Sequence, residues 1–233
     1  MNLRRTLIAS AIALLAAPAA LAQAPTMKLL VGYSAGGPVD AAARQFAPVL
    51  ARELEWNVVV ENRPGANATL AGDLVSKAAP DGLTIWFAAS PPLTIGPHIM
   101  KKMAFDPAKD LAPVAPVLAY YNVLVVARES PHKSVQDLIA FGKANPGKVF
   151  YGSAGIGASN HLSGELFAAQ AGATFSHVPY KGNAPAMTDV IGGQLTMMFD
   201  IIGGARGHIN AESGLGDWAE GHGWLRTLAE GKA

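Results

Sequence analysis

The chain has 233 residues, half of them hydrophobic, and its 18 basic and 17 acidic side chains leave a formal charge of +1. A balance so even, with no basic run, excludes the electrostatic footprint of a nucleic-acid or anionic-membrane binder. The absence of cysteine excludes thiol catalysis, thiolate metal sites and a disulfide framework.

The N-terminus reads as a secretory leader. Arg4 and Arg5 form a positive region, residues 7–20 an apolar one, and Ala20-Leu21-Ala22 a small-x-small cleavage site before Gln23. The apolar run is shorter than the roughly 20 residues needed to cross a bilayer. Cleavage after Ala22 is expected to leave 211 of the 233 residues; it removes two arginines and no acid, which moves the formal charge from +1 to −1. That length suits one large domain or two lobes, soluble and exported to the periplasm of a Gram-negative source.

Beyond the leader, strand-like and helix-like segments alternate. Strands are expected at 28–32, 58–61, 84–88, 123–126, 149–153, 175–179 and 195–199, and helices near 39–54, 68–78, 134–145, 160–171 and 184–192. In the third helix Val135, Leu138, Ile139 and Phe141 follow helical spacing behind a Ser134 cap, and Pro146-Gly147 stops it. The alternation predicts mainly parallel sheets flanked by helices, with ligands outside the carboxyl ends of the strands. Pro91, Pro92, Pro97, Pro107, Pro113 and Pro116 interrupt the rhythm. That stretch is expected to wander over the surface, and a long strand from Tyr120 to cross between lobes.

Two glycine-rich strand-to-helix junctions carry the candidate site. The first reads Tyr33-Ser34-Ala35-Gly36-Gly37-Pro38-Val39-Asp40, with Pro38 preset for a first helical turn and Asp40 where the helix dipole favours a carboxylate. The second reads Ser153-Ala154-Gly155-Ile156-Gly157-Ala158-Ser159-Asn160-His161, in which Ser159 or Asn160 is expected to cap the helix. Each junction should leave backbone N–H groups pointing outward, a seat for an anion. Asn160 stands where a dinucleotide fingerprint needs its third glycine. No Gly-x-Ser-x-Gly elbow occurs, and the six histidines show no ligand spacing. Binding without a catalytic residue, metal or cofactor is the expectation, with His161 a packed, hydrogen-bonding residue. Tyr180, before Lys181-Gly182, offers a hydroxyl and a ring to a cleft. Asp200, at the end of an apolar strand, either faces the cleft or serves a turn.

Several phrases in fixed order carry a resemblance. They include Gly36-Gly37-Pro38-Val39-Asp40, Glu61-Asn62-Arg63-Pro64-Gly65, Pro80-Asp81-Gly82, Asn145-Pro146-Gly147, Ser159-Asn160-His161-Leu162, His177-Val178-Pro179-Tyr180-Lys181-Gly182 and Met198-Phe199-Asp200. From about residue 28 to 211 the chain resembles the Bug-type substrate-binding proteins of tripartite tricarboxylate transporters. The resemblance implies a type II periplasmic-binding-protein-like α/β fold with two lobes, 23–119 (incomplete) and 120–211, and a divergent tail at 212–233. It implies a monomer that closes on a small organic carboxylate and hands it to membrane permease subunits, with no nucleic-acid partner. Carried over by position, the ligand residues are Tyr33, Ser34, Ala35, Gly36, Gly37, Asp40, Ser90, Ser153, Gly155, Gly157, Ser159, His161, Tyr180 and Asp200, with backbone amides of both loops on the carboxylate ends.

Two departures matter. Gly32-Tyr33-Ser34-Ala35 replaces the family's proline-rich entry to the first loop, which leaves the identity of the carboxylate open. Residues 212–233 do not resemble the family's return to its first lobe, so a frameshift or premature stop is the expectation. Three rival readings remain: a sensory receptor for a membrane kinase, an exported α/β enzyme using Asp40, His161 or Asp200, and a non-functional truncated remnant.

Overall fold

The computed structural model of the chain describes residues 24–202; the expected leader, its cleavage site and the tail at 212–233 lie outside them. In the first sheet β1 (Thr26–Val31) runs between β2 (Asn57–Asn62) and β3 (Thr84–Phe87), parallel to both. Alternation along β1 turns Leu29 and Val31 to one face, where they meet Ala43 and Ala47 of α1 (Pro38–Leu54). Those two alanines stand one turn apart and leave room for the helix to lie close on the sheet. On the other face Trp86 meets α2 (Thr69–Ser76), where Gly72 admits the rings of Trp86 and Phe105 that any Cβ would strike.

The second sheet has the order β4 (Asn122–Val125), β7 (Met197–Ile201), β5 (Val149–Ser153), β6 (Phe175–Pro179). β5 is parallel to β6 and β7, while β4 runs antiparallel to β7. Leu138, Val149, Tyr151 and Met197 form one buried face under α5 (Val135–Ala144) and α6 (Ser159–Ala171). Val125 and Met198 form the other with Ala186, Met187 and Val190 of α7 (Asn183–Ile191). Burial on both faces explains why β7 reads as a continuous apolar run rather than an alternating one. α5 starts on a full capping box: the Asp137 N–H donates to Ser134 Oγ at 3.1 Å and the Ser134 N–H to Asp137 Oδ2 at 3.0 Å.

Three local expectations differ from the structure. The proline-rich stretch contains two short helices, α3 (Pro91–Thr94) and α4 (Gly96–Ile99), because a proline in the first turn seeds a helix rather than preventing it. The strand expected from Tyr120 starts only at Asn122. β7 continues to Ile201, which places Asp200 inside the strand and not after it. Among the described residues no helix is long and apolar enough to cross a membrane.

The topology fixes where a ligand can go. β1 is flanked by both later strands of its sheet and β5 by both of its parallel neighbours, so chain direction diverges at the carboxyl end of each. Such switch points open a crevice. The two glycine-rich turns occupy them.

Candidate ligand cleft between the two sheets

The two switch points face each other and touch. The Ser34 N–H donates to the Lys181 carbonyl at 3.0 Å, and Gly182 lies so close to Ser34 that a Cβ there would collide with it. Tyr33, Ala68 and Ala89 from the first sheet's side pack with Ala154 and Ala158 from the second. Between them lies a cavity lined in part by Tyr33, Tyr120, Ser159, Asn160 and Asn183, with no charged side chain among the described residues of its lining. Its enclosed volume is about 10 Å³, the room of a single water.

The first turn is tied by a carboxylate. Asp40 is buried and accepts from the Gly36 N–H at 2.9 Å, from Arg44 Nε at 3.0 Å and from Asn62 Nδ2 at 2.8 Å. Asn62 also donates to the Tyr33 carbonyl at 3.1 Å. Burial alone would raise the Asp40 pKa; the bonds from Arg44, Gly36 and Asn62, with the Arg44 charge, outweigh it and hold the carboxyl below its ordinary value. The Tyr33 hydroxyl donates to Asn67 Oδ1 at 3.1 Å, and burial pushes this phenol far above its usual range. Asn67 belongs to three consecutive non-glycine residues with left-handed backbone, Ala66, Asn67 and Ala68 at φ 46°, 51° and 67°.

The second turn is tied by neutral side chains. The Ala154 N–H donates to Asn160 Oδ1 at 3.1 Å, the Gly155 N–H to Ser153 Oγ at 3.1 Å and the Gly157 N–H to His161 Nδ1 at 3.2 Å. Gly155 has φ +133°, a conformation open to glycine alone, and lies against the backbone of Asn67. Ser153 Oγ is 2.6 Å from His177 Nε2. Burial lowers the His161 pKa against the Glu165 charge, and burial with the neighbouring His161 brings His177 to about 4.

These ties revise the expected chemistry of the loops. The N–H groups of Gly36, Gly155 and Gly157 do not point outward but bond within the chain. Neither Ser159 nor Asn160 caps α6 through its side chain; Ala158 holds the N-cap position, and Asn160 is used instead to fix Ala154. The open donors are those at helix starts, since α6 closes its first internal bond only at the Leu162 N–H. The starts of α1, α6 and α7 contribute Val39, Ala158, Ser159, Asn160 and Asn183 to the cavity lining.

Of the residues named from sequence, Tyr33 and Ser159 line the cavity. Ser34 sits at the contact between the sheets with its hydroxyl buried and without a hydrogen-bond partner, beside Gly37, while Ala35 and Gly36 are exposed at the turn's tip. Asp40, Ser153, Gly155, Gly157 and His161 form the ties behind the turns. Ser90 is exposed at the start of α3. Tyr180 packs against the core under α7 and donates to Asp189. Asp200 is buried and accepts from Asn183 Nδ2. Sequence reasoning missed Asn67, Tyr120 and Asn183. Tyr120 hydrogen-bonds the Ser159 and Ser90 side chains from opposite sides of the cleft, and burial, opposed by these bonds, raises its pKa. Asn67 alone carried a signal, as an asparagine after Pro64-Gly65, tolerant of left-handed backbone.

Residues 42–212 match the family model described as the tripartite tricarboxylate transporter family receptor. A Cupriavidus necator relative, the UPF0065 protein in the gbd 5′ region, is 40% identical over 174 residues, which are 75% of this chain and 53% of its own. The chain thus spans about half the length of that relative. An R. palustris protein solved with adipate is similar at TM-score 0.77 and 32% identity, over 80% of this chain and 62% of its own. The periplasmic binding protein BugD is similar at TM-score 0.71 and 31% identity, over 76% and 59%. MatC from Rhodopseudomonas palustris, solved with malate, is similar at TM-score 0.70 and 28% identity, over 80% and 64%. These neighbours are solute-binding proteins, and the α/β architecture with mainly parallel sheets is the type II periplasmic-binding-protein-like fold.

Proposed function

The chain belongs to the tripartite tricarboxylate transporter receptor family, and from that we propose that it captures a small dicarboxylate in the cleft between its two sheets. One observation carries the reading: three helix starts converge on a cavity whose polar lining, among the described residues, is neutral. The dipoles of α1, α6 and α7 and the N–H groups of Ser159 and Asn160 favour an anion without a cationic side chain. The Ser34 hydroxyl, buried without a partner, supplies a further donor, while Tyr33 and Tyr120 present neutral rings to the cavity. Apolar Val39, Ala89 and Pro91 suit the methylenes between two carboxylates. Adipate and malate, the ligands of the two R. palustris neighbours, are the first candidates.

Lobes at 23–119 and 120–211 must part to admit such a ligand, because the present cavity has room for one water. Residues 88–121 connect the sheets and form the hinge. Ala35, Gly36, Gly37, Ser90, Tyr180 and Asp200 frame the bound ligand, and Asp200 acts by orienting Asn183. The receptor works as a monomer in the periplasm, after removal of 1–22, and delivers its ligand unchanged to permease subunits. Calorimetric titration of the full chain with adipate and malate at pH 7 tests this. Saturable binding to one site is expected, weakened at least about tenfold by Ser159→Asp, which sets a negative charge at the α6 start. No binding of either acid, or unchanged affinity in S159D, would overturn it.

A further inference from the structure

We infer that His161 and His177 are positioning residues for ligand capture, each imidazole fixing one glycine of the second turn from behind the cleft; the inference rests on the receptor reading above. His161 Nδ1 accepts the Gly157 N–H at 3.2 Å, so the neutral ring carries its proton on Nε2, the atom 3.8 Å from Glu165 Oε1. His177 Nε2 lies 2.6 Å from Ser153 Oγ, and that oxygen accepts the Gly155 N–H at 3.1 Å. The two rings are 4.1 Å apart. Tyr151 stacks on His177 at 5.0 Å and donates to Glu165 at 2.5 Å. Glu165 of α6 and Tyr151 of β5 are the titratable groups that face the pair.

The pair matters to the ligand because the turn it braces feeds the cavity wall. Gly157 leads directly into Ala158, Ser159 and Asn160, which line the cavity and open α6. A turn free to rotate would disperse those donors and lose preorganisation. Neither histidine lines the cavity, so each acts through the turn. Acid must break the tie at Gly157: a second proton on the His161 ring can only go to Nδ1, the atom that accepts the N–H. A cation there also opposes protonation of His177. Because the fold lowers both rings below 6.5, falling pH favours states in which they are released.

Adipate titrations of the full chain between pH 8 and 5.5 test the inference, with His161→Ala and His161→Asn. H161A should weaken binding about tenfold at pH 7.5, the scale of one lost hydrogen bond that orders donors. In H161N the side-chain oxygen replaces Nδ1 and cannot be protonated. It should recover affinity to within about threefold of wild type and flatten the pH profile. Protonation of adipate itself acts on every variant alike, so the difference between wild type and H161N isolates the ring. In the ligand-free wild type, the Gly157 amide resonance should shift with the His161 ring titration. A pH profile shared by wild type and H161N, or a Gly157 amide indifferent to that titration, would overturn the inference. A wild type that binds no dicarboxylate while Gly157 still follows His161 would overturn the receptor reading alone.

Discussion

The turns after β1 and β5 occupy the same topological place but are braced by different chemistry. The first is tied to a buried carboxylate that stays ionised, the second to two imidazoles and a serine hydroxyl. A brace of permanent charge is strong and indifferent to mild acid, whereas a brace of neutral rings is weaker and fails when a ring takes a proton. Position in the fold thus sets where the two turns are; the side chains behind them set the conditions under which each holds.

The largest break in that contrast should come from Asp40→Ala. It leaves the Gly36 N–H, Asn62 and Arg44 without their shared acceptor and should lower the unfolding free energy by about 3 kcal/mol in urea at pH 7. A loss under about 1 kcal/mol would mean that the first turn stands without its carboxylate. Ser153→Ala is next: it removes the acceptor of Gly155 and the partner of His177, for a loss of about 1–2 kcal/mol by the same measurement. Acid sharpens the comparison further. Asp40 is held below 3.8, so its contribution is present above that pH and lost as pH falls through its lower folded value. The histidines, lowered from 6.5 and in His177 to about 4, lose theirs between those limits. Asp40→Asn should therefore reduce the loss of stability below 3.8 and keep the loss above it. Arg44→Met should have the smallest effect, below about 1 kcal/mol, because the guanidinium is half exposed and two other donors hold Asp40.

Much of the frame was legible because periodicity and punctuation are local signals. The Ser134 cap, the stop at Pro146-Gly147 and the turn before Pro38 each arise from a few neighbouring residues. Asp200 misled because an acid after an apolar run looks like a strand end, while a partner 17 residues away, Asn183, lets it stay inside the strand. The glycine N–H groups misled for the same reason. Asp40 and His161 each lie four residues past the glycine they engage, yet spacing alone did not show their side chains turning back to it. Tyr120 joins Ser90 to Ser159 only once the two sheets face each other, and no pattern in the chain encodes that approach.

Ala66, Asn67 and Ala68 hold the meeting of the two sheets in a costly backbone. Each left-handed residue lies roughly 1–2 kcal/mol above its right-handed alternative. A Cβ at Gly32 would strike Ala68, and Asn67 lies against Gly155, so the run fits only beside two glycines. Local strain of this kind persists where the surroundings over-determine it. Bulk added at Gly32 would therefore disturb the whole run, although that residue lies outside both glycine-rich turns.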